Sequence, residues 1–175
     1  MDYGVDIMRQ EVLFTLLKRC NDVGYKVNRE SLQYLVYILQ IMSDVNVGYN
    51  FKLSEFGPIT ELVQSDLDVM IEYGRVQEKK DDGDNYYLYV PYDNIIKLSD
   101  VRMDAIEKLI EYYMALLFDE LYLRFMITFL ADKARREERP MNRNQICDTI
   151  VEMNVSQNKR EIRAVFDELL SRDYI

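Results

Sequence analysis

The stretch from Tyr49 to Val90 constrains the fold of this chain more than any other. It opens with YNFKL, in which apolar and polar residues alternate as they do in a half-buried strand. A Gly-Pro pair then predicts a sharp turn, and Pro58 suits the first position of a helix because its missing N–H would have no partner there. Gly74 predicts the end of that helix. Its buried side is predicted to consist of Leu62, Val63, Leu67, Met70 and Ile71.

A hairpin and two further helices surround this predicted helix. Two short strands, over 75–80 and 86–90, flank the sequence DDGDN, whose Asp, Gly and Asn residues tolerate the positive φ angles of tight turns. Amphipathic patterns predict helices over 6–23 and 29–43, with Asn28 as the N-cap of the second. The order helix, helix, strand, helix, hairpin is that of a winged helix-turn-helix.

The predicted fold is therefore mainly α with a small β-wing. A winged helix-turn-helix domain over 1–92 is followed by a linker over 91–100 and a helical domain over 101–175. Ser156 is the predicted N-cap of the last helix. The four C-terminal helices are predicted over 101–117, 119–137, 143–153 and 156–172. The last three of them could form a second, partial helix-turn-helix that stops before its wing, and an unrelated helical cap is the alternative.

The sequence lacks the residues that several classes of catalytic site require. The chain has no histidine, which removes the commonest general base near neutral pH and most zinc sites. It has no glycine-rich phosphate loop, and the aspartates of DDGDN lack the spacing of a calcium loop. Cys20 and Cys147 lie within apolar helical patterns, which predicts buried free thiols. We therefore expect a non-enzyme without a cofactor or metal.

A cytoplasmic location and no membrane segment are expected. The N-terminus lacks the basic region and apolar run of a signal peptide. The longest apolar region, residues 109–130, is interrupted by charged side chains and is not expected to span a membrane. The charged residues that interrupt it are Glu111, Asp119, Glu120 and Arg124.

The charge of the predicted recognition helix conflicts with DNA binding. The chain has a formal net charge of −9, and the helix from Pro58 to Gly74 carries four acidic residues and no Lys or Arg. A helix that docks in the major groove needs cations to neutralise phosphates. A protein partner is therefore expected instead, and the acidic winged helix could either bind a basic protein or imitate the charge of nucleic acid. The candidate protein-binding residues are Glu61, Asp66, Asp68, Tyr86, Tyr87, Tyr89 and Tyr92.

Two alternatives to this interpretation stay open. Packing within the wing is as good an explanation for its tyrosines, since alternate side chains of a strand point in opposite directions. The helix over 101–117 is apolar on more than one side and could pack in a domain centre or across a homodimer.

A DNA-binding alternative rests on the C-terminal part, where basic and acidic residues balance. Its function would be that of a dimeric transcriptional regulator. Charge runs are more often solvated helix faces, so nucleic acid is the less favoured partner. The candidate nucleic-acid-binding residues are Lys133, Arg135, Arg136, Arg139, Arg143, Lys159, Arg160 and Arg163.

Residues 28–90 also carry a longer pattern, LQYLVYILQ followed by YNFKLSEFGPITELVQSDLDVMIEYGRV. Its characteristic residues are Leu32, Gln33, Tyr37, Gly57, Pro58, Glu61, Leu62, Asp66, Leu67, Gly74 and Val76. This pattern resembles the YwgA-like proteins of bacteria and archaea and, more loosely, the Panacea-type antitoxin domain. Tyr34 stands where that family tends to have Lys, and Phe56 and Ile59 replace tyrosines.

The resemblance covers the winged-helix part and does not extend to the C-terminal helices. It implies a winged-helix scaffold in a prokaryotic regulatory, antitoxin-like or defence-linked protein, and it supplies no catalytic set. Together with the acidic helix, it favours a non-catalytic protein-interaction module that acts as an adaptor, a neutraliser or a component of a larger complex.

Overall fold

A computed structural model describes residues 3–43, 47–54, 57–91 and 98–175. The helices in these ranges are α1 (Tyr3–Asp22), α2 (Arg29–Ser43), α3 (Glu61–Glu72), α4 (Asp100–Tyr113), α5 (Phe118–Arg136), α6 (Arg143–Glu152) and α7 (Lys159–Ser171). The strands are β1 (Lys52–Ser54), β2 (Gly57–Ile59), β3 (Gln77–Lys80) and β4 (Tyr86–Tyr89). The described chain is mainly helical with small antiparallel hairpins, and this part of the sequence prediction is confirmed.

The prediction that Pro58 begins a helix is wrong. Residues 57–59 form β2, which pairs antiparallel with β1 and sets Ile59 opposite Lys52. Helix α3 follows an extended N-cap residue, Thr60, whose N–H donates to the side chain of Gln33 at 2.9 Å. A proline lacks a donor and so suits a short edge strand as well as a first helical turn. Its chemistry alone does not distinguish the two.

The predicted hairpin around DDGDN is confirmed. Strands β3 and β4 pair antiparallel, with Glu78 opposite Leu88. In the turn, the Asp81 carboxylate accepts hydrogen bonds from the backbone N–H groups of Gly83 and Asn85 at 2.9 and 3.0 Å. These bonds close the turn from within, which explains why a polar sequence holds a defined shape.

This hairpin is fastened to the first two helices. The backbone N–H of Leu88 donates to the carbonyl of Val27 at 2.7 Å, in the turn between α1 and α2. The Asn21 side chain, in the last turn of α1, donates to the Leu88 carbonyl at 3.1 Å and accepts from the Val90 N–H at 2.8 Å. The hairpin is therefore held along one edge by α1 and the α1–α2 turn.

Two helix boundaries depend on their capping residues. The Asn28 side chain accepts from the Ser31 N–H at 2.8 Å, so the predicted N-cap of α2 is confirmed. The prediction of Ser156 as the last N-cap is wrong, because the N-cap of α7 is Asn158, which accepts from the Glu161 N–H. Ser156 instead accepts from the Asn158 N–H. Ser and Asn both cap helices well, and the sequence places the two residues close together.

Both halves of the chain contribute to one hydrophobic core. Helix α2 packs against α4 and α5, while α1 packs against α3 and α4. At the centre, the fully buried ring of Phe125 lies 4.3 Å from the ring of Tyr34 and 5.3 Å from that of Tyr37, measured between centroids. The division into domains 1–92 and 101–175 stays a prediction, because residues 92–97 of its linker lie outside the described residues.

Helix α4 fits the first of its two predicted roles. Ile106, Leu109 and Tyr113 on this helix are fully buried within the core that it shares with α1 and α2. The homodimer stays a prediction. None of the described helices carries an apolar stretch long enough to cross a bilayer.

Stability is expected to fall as the pH rises above 9. Cys20 is a buried free thiol, as predicted, and burial raises its pKa from 9.0 to about 12. Burial, assisted by the charges of Asp132 and Asp66, also raises the pKa of Tyr37 and Tyr49 above 10.0. Because the folded pKa values exceed the unfolded ones, this contribution is complete below pH 9 and is lost as the unfolded chain ionises.

Urea midpoints at pH 7, 9 and 10.5 test this pH dependence. The expected result is a lower midpoint at pH 10.5 than at pH 7, and tyrosinate absorbance that appears together with unfolding. Equal midpoints at pH 7 and 10.5 would contradict the burial of these ionisable groups.

Candidate functional site

Helix α3 has one buried and one exposed face. Val63, Leu67 and Met70 are fully buried at helical spacing. The outward residues follow each other at intervals of four, three and four, so they form a single row along the helix. This row, called the acidic stripe below, consists of Glu61, Ser65, Asp68 and Glu72.

Asp66 does not belong to the acidic stripe. It is 6% exposed, and its carboxylate accepts hydrogen bonds from the Arg9 Nε and the Tyr49 hydroxyl, both at 2.9 Å. The Arg9 guanidinium also lies 5.6 Å from the centre of the Tyr49 ring. This buried cluster joins α1, α3 and the segment before β1. The interface role predicted for Asp66 does not fit this position, because the carboxylate faces inward and is satisfied by the protein itself.

Asp68 is exposed and is linked to strand β3 through an arginine. The Arg29 Nη1 donates to the Asp68 carboxylate at 2.7 Å and to the Gln64 side chain at 2.9 Å, while its Nε donates to Glu78 at 2.8 Å. One guanidinium therefore bridges two carboxylates on α3 and β3. The local charge stays negative, since a single cation faces two anions.

Exposed apolar side chains flank the acidic stripe. Tyr73, directly after α3, is 77% exposed, and Ile59 and Leu62 at its start are 42% and 39% exposed. Their positions next to charged residues are typical of contact surfaces, where apolar area lies among polar groups. The sequence prediction placed Leu62 on the buried side and is wrong there, because the buried arc of α3 is narrower than its apolar spacing suggests.

The candidate tyrosines in and after strand β4 differ in exposure. Tyr86 is 58% exposed, whereas Tyr87 and Tyr89 are half-buried, and Tyr92 lies outside the described residues. A lysine ammonium lies over each of the three described rings, the closest being Lys79 at 3.3 Å from the centre of Tyr89. These cation–π contacts orient the rings. Of the three described tyrosines of β4, Tyr86 is therefore the most open to a partner.

A groove lies beside the β3–β4 hairpin. It has a volume of 630 Å³ and runs between the start of α2 and the β3–β4 hairpin. Arg29, which binds Asp68 of the stripe, and the exposed Tyr86 both line it. The lining residues are Asn28, Arg29, Glu30, Glu78, Asn85, Tyr86, Tyr87 and Leu88. Arg29 is therefore the side chain that links the groove to the acidic stripe.

The basic residues of the DNA-binding alternative are largely neutralised by neighbouring acids. Arg139, Arg160 and Arg163 are exposed. The ion pairs made by the other candidates are Lys133–Glu137 at 3.8 Å, Arg135–Asp132 at 3.0 Å, Arg136–Asp132 at 2.9 Å, Arg143–Asp167 at 2.6 Å and Lys159–Asp148 at 2.7 Å. A cation paired closely with a carboxylate contributes less to phosphate binding, and this applies least to Lys133, whose pair is the longest of the five.

The same ion pairs describe how α6 and α7 are arranged. Arg143 at the start of α6 pairs with Asp167 in the second half of α7, and Asp148 later in α6 pairs with Lys159 at the start of α7. The two helices therefore contact each other as an antiparallel pair, and their contacts extend beyond the turn that joins them. Whether these helices form a partial helix-turn-helix or a helical cap stays a prediction.

Within the described ranges, no three His, Cys, Asp or Glu side chains group together as metal ligands. No protein family, curated protein or solved structure matches this chain. The resemblance of residues 28–90 to YwgA-like and Panacea-type proteins stays a prediction.

Proposed function

We propose that this chain is a non-catalytic protein-interaction module that binds a basic protein partner through the acidic stripe. The observation that supports this most is the outward face of α3, which presents Glu61, Asp68 and Glu72 to solvent. No lysine or arginine interrupts the helix. Such a surface attracts cationic partners and repels phosphates at close range.

The order of elements supports a winged-helix interpretation of the N-terminal part. Helices α1 and α2 precede α3, and the β3–β4 hairpin follows it in sequence. In such a fold α3 would be the recognition helix, and a duplex docked on it would meet the acidic stripe. A scaffold of this kind can serve an adaptor, an antitoxin-like neutraliser or a component of a regulatory complex.

The exposed apolar residues supply the second part of such an interface. Interface affinity comes mainly from a few well-packed apolar or aromatic anchors, while charges guide association and select the partner. Tyr73, Leu62 and Tyr86 are exposed next to the acidic stripe and its groove and suit the role of anchors.

Charge reversal on the stripe tests this function. The probe is a fluorescently labelled helical peptide rich in Lys and Arg, and the readout is fluorescence anisotropy. Glu61→Lys combined with Glu72→Lys is expected to weaken its binding by about tenfold, and binding by the unmodified protein is expected to decrease with added salt. The control is Glu111→Lys with Glu152→Lys, two exposed acids elsewhere that change the net charge equally.

Two outcomes would contradict the proposal. Equal weakening by both double variants would show that the peptide responds to net charge and not to the stripe. Tight, salt-dependent binding of a DNA duplex that is lost in Arg160→Glu with Arg163→Glu would favour the transcriptional regulator instead.

A further inference from the structure

A second concave site lies between α2, β1 and α5 and shares no residue with the acidic stripe. Its volume is 460 Å³, within the range of roughly 300–1,000 Å³ that small-molecule sites occupy. It is lined by Tyr37, Gln40, Tyr49, Phe51, Lys52, Phe129, Asp132, Lys133, Arg136 and Glu137. We call it the α2–α5 cavity.

One part of the cavity wall is aromatic. The Tyr37 ring packs edge-on against Phe51 at 5.0 Å and lies 5.6 Å from Phe129, between ring centroids. Tyr37 and Phe129 are almost fully buried, so the wall is supported from behind by the core. Phe51 is only half-buried, so its ring offers apolar area for stacking against a ligand ring.

The other part of the wall is positively charged. Lys52, Lys133 and Arg136 face two acids, Asp132 and Glu137, which leaves an excess of one positive charge. The cavity wall is therefore positively charged, whereas the whole chain has a formal net charge of −9. A cluster of cations at a cavity in an acidic protein is a specific feature and does not follow from the composition.

The two acids reduce this positive charge unequally. Asp132 is 6% exposed and is occupied by the protein: it accepts from the Tyr37 hydroxyl at 3.1 Å and pairs with Arg135 and with the Nε of Arg136. The pair made through Nε holds the Arg136 guanidinium in place and leaves its Nη groups as donors. Glu137 is exposed and lies 3.8 Å from Lys133, a pair that water screens strongly.

We propose that the α2–α5 cavity binds a small aromatic anion, a planar ring that carries one carboxylate or phosphate group. The ligand ring packs against Phe51, and its acid group binds the lysines and the arginine. Selective binding needs both parts of the wall, because the aromatic part alone would accept any apolar molecule and the cations alone would accept any anion. This proposal is independent of the protein interaction proposed above.

Calorimetric titration with defined probes tests the ligand class. Adenosine monophosphate represents a ring with a phosphate, and 1-naphthoate a ring with a carboxylate. At least one of them is expected to bind with a Kd below about 1 mM. Adenosine, which lacks the acid, and inorganic phosphate, which lacks the ring, are expected to bind about tenfold more weakly or not at all. The tighter of the two complete probes identifies the acid group.

Variants locate the binding in the cavity. Lys52→Gln combined with Lys133→Gln is expected to weaken binding of the probe that carries both ring and acid by about tenfold. Lys26→Gln combined with Lys108→Gln removes the same charge elsewhere and is expected to change that affinity by no more than about twofold. All four lysines are partly or fully exposed, so folding is retained. The proposal is overturned if neither complete probe binds, if inorganic phosphate binds as tightly as either, or if both double variants weaken binding equally.

Discussion

Replacing Asp66 with alanine is expected to lower the free energy of unfolding by about 3 kcal/mol, one of the largest single-site effects in this protein. The Arg9 guanidinium and the Tyr49 hydroxyl both donate to the Asp66 carboxylate inside the protein. Removing a buried acceptor leaves its donors without the partner that compensated for their loss of water. Urea unfolding followed by circular dichroism measures the change.

The matched control is Asp68→Ala, two residues further along α3. Asp68 also binds an arginine, Arg29, at 2.7 Å, but both side chains are exposed. Its loss is expected to cost less than about 1 kcal/mol, because water screens exposed ion pairs. Similar effects of the two substitutions would contradict the view that burial makes the Asp66 cluster important for stability.

Replacing Phe125 with alanine is expected to destabilise the protein by about 3–5 kcal/mol. The ring is fully buried and packs against the rings of Tyr34 and Tyr37, so its removal leaves a cavity between α2 and α5. Phe118→Ala is the control, because that ring also lies near Tyr34, at 5.8 Å, but is 39% exposed. Its loss is expected to cost about 1 kcal/mol or less.

The Phe125→Ala variant also tests the division of the chain into domains. Because α2 packs against α4 and α5, we expect Phe125→Ala to shift one cooperative unfolding transition as a whole. Two transitions, of which one keeps its midpoint, would instead support independent domains over 1–92 and 101–175.

The positions of the helices could be predicted because their buried faces repeat at helical spacing. The inward position of Asp66 could also have been found in this way, since it lies three residues after Val63 and four before Met70 on the same face of α3. The sequence prediction counted its charge and overlooked its place in the repeat. Pro58 gave no comparable signal, because its local chemistry suits a strand and a helix alike.

The neutralised basic residues were predictable in part. Asp132 precedes Arg135 and Arg136 by three and four residues, and such spacings on a helix bring opposite charges together. The pair between Arg143 and Asp167 joins two helices, and no local pattern indicates it. The α2–α5 cavity could not be predicted from local spacing either, since its aromatic and cationic walls come from segments far apart in sequence.

The anchoring of the β3–β4 hairpin through Asn21 and Val27 has a consequence for recognition. A hairpin that projects freely must be immobilised by whatever binds it, and that loss of freedom weakens the complex. Here the immobilisation is complete before any encounter, since α1 and the α1–α2 turn already fix the strand that carries Tyr86. A partner that binds this edge of the protein would therefore meet a preorganised surface, and its selectivity would come from shape as much as from charge.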